Sequence, residues 1–320
     1  MPDRQQITKK QHYVPRFYLK QFADNNGKLS VLDIRNKKIG RKRAYSGVCY
    51  EKFFYGVKTG EQDDVSQAVE DYLQNIEDKA VNAIAYFCKQ VKDNKYISNN
   101  IRYDISYLMS IMWIRTDYFR QQMNRMSEDM TKKLYGLNAG HKDIYIKKAK
   151  ELAKKQNINL SDKEIKKMRK MIIDGKYSLT FNNAQHLHFF EDVEGFANLI
   201  YAKNWRVYIV TGKYRFITSD TPVIEWFPEK KSFYGVSFLE RKHYFPITPE
   251  VLIEAVYPIS GKNLRRKRLN DKEVLEYNFI RPEYSLNYCY SDEEEQFGKI
   301  LEIVNVLNRQ GRKERYQESF

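Results

Sequence analysis

Three cysteines occur in 320 residues, Cys49, Cys88 and Cys289, with no CxxC pair among them. Odd in number and far apart, they indicate neither a zinc site nor a disulfide framework, and the chain reads as cytoplasmic. Histidine is also scarce, at five. His186 and His188 are spaced i, i+2, which turns them to different sides of a helix and makes a poor metal pair. His141 and His243 stand apart from other chemistry. No glycine-rich phosphate loop follows a strand, and there is no serine elbow and no HExxH. Asp220 with Glu225 comes nearest to a nuclease carboxylate cluster, but Phe227 stands where that pattern needs lysine. No metal and no cofactor is therefore expected. Long apolar runs are missing too: the longest, about Ile105 to Ile114, is broken by Ser110 and too short for a bilayer. Met1-Pro2-Asp3-Arg4 leads into polar residues without the apolar stretch of a signal peptide. No membrane partner is expected.

What the chain does have is positive charge and aromatic rings. The net charge is +15, concentrated in three places. These are Lys37 to Arg43, then Lys142 to Lys170, then Lys262 to Arg268. The middle stretch holds eleven Lys or Arg against Asp143, Glu151, Asp162 and Glu164. Such clustering is the footprint of a polyanion partner, or of solvated helix faces in a lysine-rich proteome. Twenty-five tyrosines suit half-wet surfaces and base stacking, although an AT-rich genome would favour the same codons.

The periodicity predicts an α+β protein, with an antiparallel or mixed sheet from the N- and C-terminal thirds and a helical middle region. It is read as one domain, 1–320, with helices over about 64–201 between strand-rich 11–55 and 205–291. Leu29 to Ile34 reads as a strand after the Asn25-Asn26-Gly27 turn. Val65, Val69, Leu73, Ile76, Ala80 and Ile84 form one helical stripe, capped by Asp63 or Asp64. Ser98 or Asn99 starts a second long helix running on to Met126. Ser161-Asp162-Lys163-Glu164 is a capping box, so Lys142 to Lys170 reads as a charged helical hairpin. A further helix is expected over Asn183 to Tyr201. Arg206 to Val210 and Tyr214 to Ile217 are expected to form a hairpin about Gly212. Val251 to Val256 reads as a strand, and Glu294 to Leu307 as an amphipathic helix.

Three constellations carry candidate chemistry. Lys9 to Phe22 is dense in rings for the start of a chain, and its His12 suits proton transfer near neutrality or a carbonyl contact that fixes a docked segment. In Trp113 to Arg120, Arg115 follows an apolar run, and a buried arginine needs an anion, either a carboxylate such as Asp220 or a bound phosphate. Ile217 to Val223 ends a strand in Thr-Ser-Asp-Thr-Pro. There Asp220 closes a turn, orients a histidine or holds a cation.

Together these pieces are similar to a known family. Gln11 to Phe22 resembles the N-terminal signature of the prokaryotic family catalogued as domain of unknown function 4238. Ile217 to Val223 resembles its central signature, and Phe245-Pro246-Ile247-Thr248-Pro249 its next step. Asn278 with Tyr288 to Ser291 resembles its C-terminal pattern. Arg115-Thr116-Asp117 resembles an Arg-Thr-Pro step, with Asp117 in place of proline. The resemblance implies candidate residues and no reaction, and by association a phage-conflict or mobile-element setting.

Two functional readings follow. In the first, the chain is a nuclease-like, metal-independent enzyme acting on nucleic acid or a nucleotide. His12 is its acid/base, Asp220 orients His12, and Arg16 and Arg115 bind phosphate, with Tyr13, Ser219 and Asn278 as substrate contacts. In the second, a non-catalytic module binds nucleic acid or a partner protein through the basic hairpin, and His12, Arg16 and Asp220 pin the N-terminal segment onto the sheet. A structural subunit of a larger defence complex is a third. The sequence carries no sign of an oligomeric state.

Overall fold

The computed structural model describes residues 8–56, 68–179, 181, 183–226, 240–258 and 263–309. Asp63, Asp64, Val65, Phe227 and Lys262, singled out above, lie outside these. The chain is α+β, with antiparallel and mixed sheets and a helical middle region. It divides into two compact units, residues 1–119 with 183–320, and residues 120–182.

In the larger unit the N-terminal stretch gives β1 (Lys10–His12), α1 (Arg16–Gln21), β2 (Lys28–Asp33), β3 (Lys38–Ala44) and β4 (Tyr50–Lys52). Asp24 shapes the turn into β2 by accepting from the amides of Asn26 and Lys28, and Gly27 supplies the left-handed residue at φ 69°. Then come α2 (Ala68–Lys92) and α3 (Asn99–Ile114). Ser98 caps α3 by accepting from the Ile101 amide. Of the stripe that the spacing predicts, Leu73, Ala80 and Ile84 are buried and Val69 and Ile76 half-buried, and Phe87 and Val91 extend the buried face of α2.

The helix does not run on to Met126. It stops after Ile114, and α4 (Asp117–Gly140) starts afresh, without a proline. Thr116 accounts for the break: its hydroxyl donates to the Trp113 carbonyl and accepts from the Phe119 amide, capping the new helix. The helix expected over Asn183 to Tyr201 is likewise two, α7 (Asn183–His188) and α8 (Val193–Ala202). Between them the chain turns so that Phe189 packs on Phe119, at 5.1 Å between ring centroids, and Phe190 on His186, at 5.8 Å.

The strands that follow α8 are β5 (Asn204–Val210), β6 (Thr218–Ser219), β7 (Ile224–Trp226), β8 (Lys242–Thr248), β9 (Val251–Val256) and β10 (Leu264–Leu269). After them come α9 (Asp271–Ile280), a 3-10 turn at Arg281–Tyr284, β11 (Tyr288–Ser291) and α10 (Glu295–Arg309). The hairpin expected about Gly212 does not form. β5 pairs with β9 and, in parallel, with β10, while the chain after Gly212 crosses toward a different sheet. Asp271 holds that crossing: its carboxylate accepts from the Tyr214 amide at 2.9 Å and leaves no room for a side chain at Gly212.

Two larger sheets result. One has five strands in the order β10-β5-β9-β8-β7; the other has four, β3-β2-β11-β6, and joins both ends of the chain. Tyr290 lies opposite Val31 on one side, and Cys289 opposite Ser219 on the other. That second sheet brings the separated signatures together.

Candidate functional site

The N-terminal signature is fastened residue by residue. β1 pairs antiparallel with β4, and the Tyr13 amide donates to the Cys49 carbonyl at 3.0 Å. Cys49 and Phe53, on either side of β4, both sit at positive φ, 54° and 55°, which costs about 1 kcal/mol each for such residues. Gln11 is fully buried, its side-chain oxygen accepting from the Tyr55 amide at 2.8 Å. The His12 carbonyl accepts from Arg115 Nη2 at 2.7 Å and from the Tyr55 hydroxyl at 3.2 Å. Further on, the Tyr18 hydroxyl donates to the Pro246 carbonyl at 2.7 Å and accepts from Thr218 at 2.8 Å. The first signature thus docks on the second and third.

The His12 ring points away from that seam. Nε2 donates to the Ser46 carbonyl at 3.3 Å, and the ring tilts against Tyr50 at 5.5 Å. Burial first, and then the charges of Lys10, Arg16 and Arg115, bring its pKa down to about 4 against the pull of the Ser46 bond. It is a neutral imidazole at pH 7. Arg16, the first residue of α1, is exposed. Arg115 is only 2% exposed and forms an ion pair with Glu77 at 2.9 Å. Its anion is therefore a protein carboxylate, but that carboxylate is not Asp220. The sequence carried a signal for Glu77, an acid spaced four after Leu73 and three before Ala80 on the apolar stripe of α2.

Asp220 is buried, and its carboxylate accepts three backbone amides, Leu286 at 2.9 Å, Asn287 at 2.6 Å and Tyr288 at 3.0 Å. It braces the entry to β11. Burial pushes its pKa up to about 6, opposed by the three amides and assisted by Asp117. Its hydrogen bonds go to these amides, and that of the His12 ring goes to Ser46. The Asp220 charge reaches Tyr13, Cys49, Cys289 and Tyr290, each shifted upward mainly by burial. The Cys49 thiol donates to the Tyr290 hydroxyl at 3.5 Å. Raised this way, Cys49 is no ready thiolate.

Ser219 closes a local turn, its hydroxyl donating to the Thr221 carbonyl and accepting from the Thr221 amide. Asn278 accepts from the Ile217 amide at 3.1 Å and donates to the Arg215 carbonyl and to Gln296. Arg281, which the sequence did not flag, is buried and donates to the carbonyls of Thr221 and Pro222. The structure therefore brings Tyr13, Ser219 and Asp220 into one seam with Cys49 and Tyr290. His12 and Arg115 share a different contact, through the His12 carbonyl, and Asn278 holds the strand leading to Ser219.

The smaller unit is built differently. α5 (Lys142–Lys155) and α6 (Asp162–Ile173) form the helical hairpin, with the Ser161–Glu164 capping box complete in both directions. Ala153 and Ile165 are buried between the helices, and Arg169 donates to the Ala139 carbonyl at 2.7 Å at the end of α4. All ten lysines from Lys142 to Lys170 are exposed. One of them, Lys150, has an ion-pair partner among the described residues, Asp162 at 2.6 Å. The hairpin's charge is thus largely uncompensated.

Among the described residues, no group of three or more His, Cys, Asp or Glu is arranged to hold a metal ion. No helix there is long and apolar enough to cross a membrane. The fold and seam define an α+β protein whose segment from Gln11 to Tyr18 is pinned beside a sheet that β11 completes. The chain belongs to the family described as Protein of unknown function (DUF4238), which it matches over residues 10–294. No curated protein and no solved structure matches it.

Proposed function

We propose that this chain is a non-catalytic nucleic-acid-binding protein whose contact surface is the basic hairpin α5–α6. The observation that carries the reading is the set of ten exposed lysines on two short helices, one of them ion-paired among the described residues. A phosphate backbone is the partner such a surface fits, because each neutralised phosphate releases condensed counterions and the gain requires no base recognition. The signature residues support the same reading from the other unit. Arg115, Asp220, Ser219 and Asn278 spend their polar atoms on protein partners.

A nuclease in a phage-conflict setting is the rival reading. It needs His12 to act with Asp220, and each is occupied elsewhere. The test uses the full chain and a short fluorescent duplex, with Lys147, Lys148, Lys154, Lys163, Lys166 and Lys167 replaced by Gln. Binding is expected to weaken about a hundredfold at low salt, with His12→Ala silent. Unchanged binding by the lysine variant, or cleavage abolished by His12→Ala, rejects the proposal.

A further inference from the structure

The five-stranded sheet presents two unlike faces. One packs on helices, with Trp205 against Phe87 at 6.1 Å and His243 against Trp113 at 5.8 Å. The other carries Tyr208, Tyr244, Leu252 and Leu269, which pack with Val274 of α9. Tyr277 of α9 stands at the margin of this cluster, its ring 4.8 Å from Tyr208 and 6.2 Å from Tyr244. Past it the strand register continues on the same face. Arg265, Arg206, Glu254 and Tyr244 form one row across β10, β5, β9 and β8; Val256, Lys242 and Trp226 lie in the row beside it.

That part of the face is charged and aromatic. Glu254 is 4% exposed and accepts from the hydroxyls of Tyr208 at 2.6 Å and Tyr244 at 3.2 Å. Arg206 and Lys242 approach the same carboxylate at 3.4 and 3.9 Å, and Arg206 stays 48% exposed. Lys242 also lies over the Trp226 ring, 4.7 Å from its centroid. Arg265 is exposed, with no acidic partner among the described residues, and Lys267 beside it pairs with Glu273. Trp226 and Tyr277 are half-buried, and Tyr257, just after β9, is exposed.

Cations on an edge strand commonly serve to discourage strand pairing, and that would account for Arg265 and Lys267 on β10. It does not account for Arg206 and Lys242, which sit on interior strands of the sheet. Cations beside half-buried rings on a partly exposed sheet face fit a single strand, whose unstacked bases lie on rings while its phosphates meet the cations. A duplex offers no open base faces to such a surface. We infer that this sheet face is a second binding site, specific for single-stranded nucleic acid, with Trp226 and Tyr277 as stacking platforms and Arg206, Lys242 and Arg265 as phosphate contacts. It stands independently of the hairpin.

Trp226 provides a direct readout, since the other two tryptophans, Trp113 and Trp205, are buried. Oligo(dT) added to the full chain is expected to quench tryptophan fluorescence, and a duplex of equal length or heparin is not. Trp226→Phe should remove the quench while anisotropy still reports binding. An Arg206→Gln/Arg265→Gln double variant should bind the labelled oligonucleotide about tenfold more weakly, and the hairpin lysine variant should keep the quench. The site is overturned by saturating oligonucleotide that leaves fluorescence unchanged, by equal quenching with heparin, or by a double variant that binds like the wild type. Equal affinity for a mononucleotide overturns its assignment to a strand.

Discussion

At the scale of single residues, the signatures work as fasteners, and their removal should be read in stability. Arg115→Ala leaves Glu77 without its partner and the His12 carbonyl with the Tyr55 hydroxyl alone, at a cost of about 3 kcal/mol in urea unfolding. Glu77→Ala should cost less, because that side chain is 28% exposed and Arg115 keeps its other partners. Asp220→Ala strips three part-buried amides of their acceptor and should cost about 3 kcal/mol as well. The two titrating groups act in opposite directions. Asp220, raised to about 6, holds a proton in the folded chain that the unfolded chain has released above about pH 4. Its contribution is full at low pH and lost as pH rises to about 6. His12, lowered to about 4, resists a proton that the unfolded chain takes up near pH 6.5. That contribution is present above about pH 6.5 and lost as pH falls to about 4. An NMR titration of the His12 ring should give a midpoint near 4, and His12→Asn should flatten its share of the stability profile. A midpoint near the ordinary 6.5 contradicts the buried, cation-flanked ring.

At the scale of elements, a cap replaces a breaker. Thr116→Val removes the hydroxyl that ends one helix and starts the next, and should lower stability by about 1 kcal/mol in thermal unfolding. Ser161→Ala, at the capping box of α6, should cost a similar amount, about 1 kcal/mol, without touching the lysines. These two positions also mark what the sequence could tell. The Ser161 box was legible because its spacing is local and reciprocal. The Thr116 break was not, since no proline or glycine announces it and the apolar period runs on through it. The turn at 189–192 was hidden in the same way, by tertiary packing of Phe189 and Phe190. Gly212 invited a hairpin, but the carboxylate of Asp271, far along the chain, decides the path there. The site was legible in its parts and not in its pairings. Arg115 was readable as a buried cation in need of an acid, whereas its choice of Glu77 over Asp220 is set by how α2 lies beside α3.

At the scale of the whole molecule, the two units differ in what they present. One pairs β2 with β11 in a single sheet; the other carries a cationic surface with one lysine ion pair, Lys150 to Asp162, among the described residues of α5 and α6. Binding driven by that surface must weaken steeply with salt, whereas recognition by a pocket would not. The most direct test is the salt dependence of duplex binding by the full chain and by the six-lysine variant. The account predicts a slope of log K against log salt of about −5 for the wild type, falling to about −2 or shallower in the variant. Equal slopes for the two proteins, or binding indifferent to salt, would contradict it.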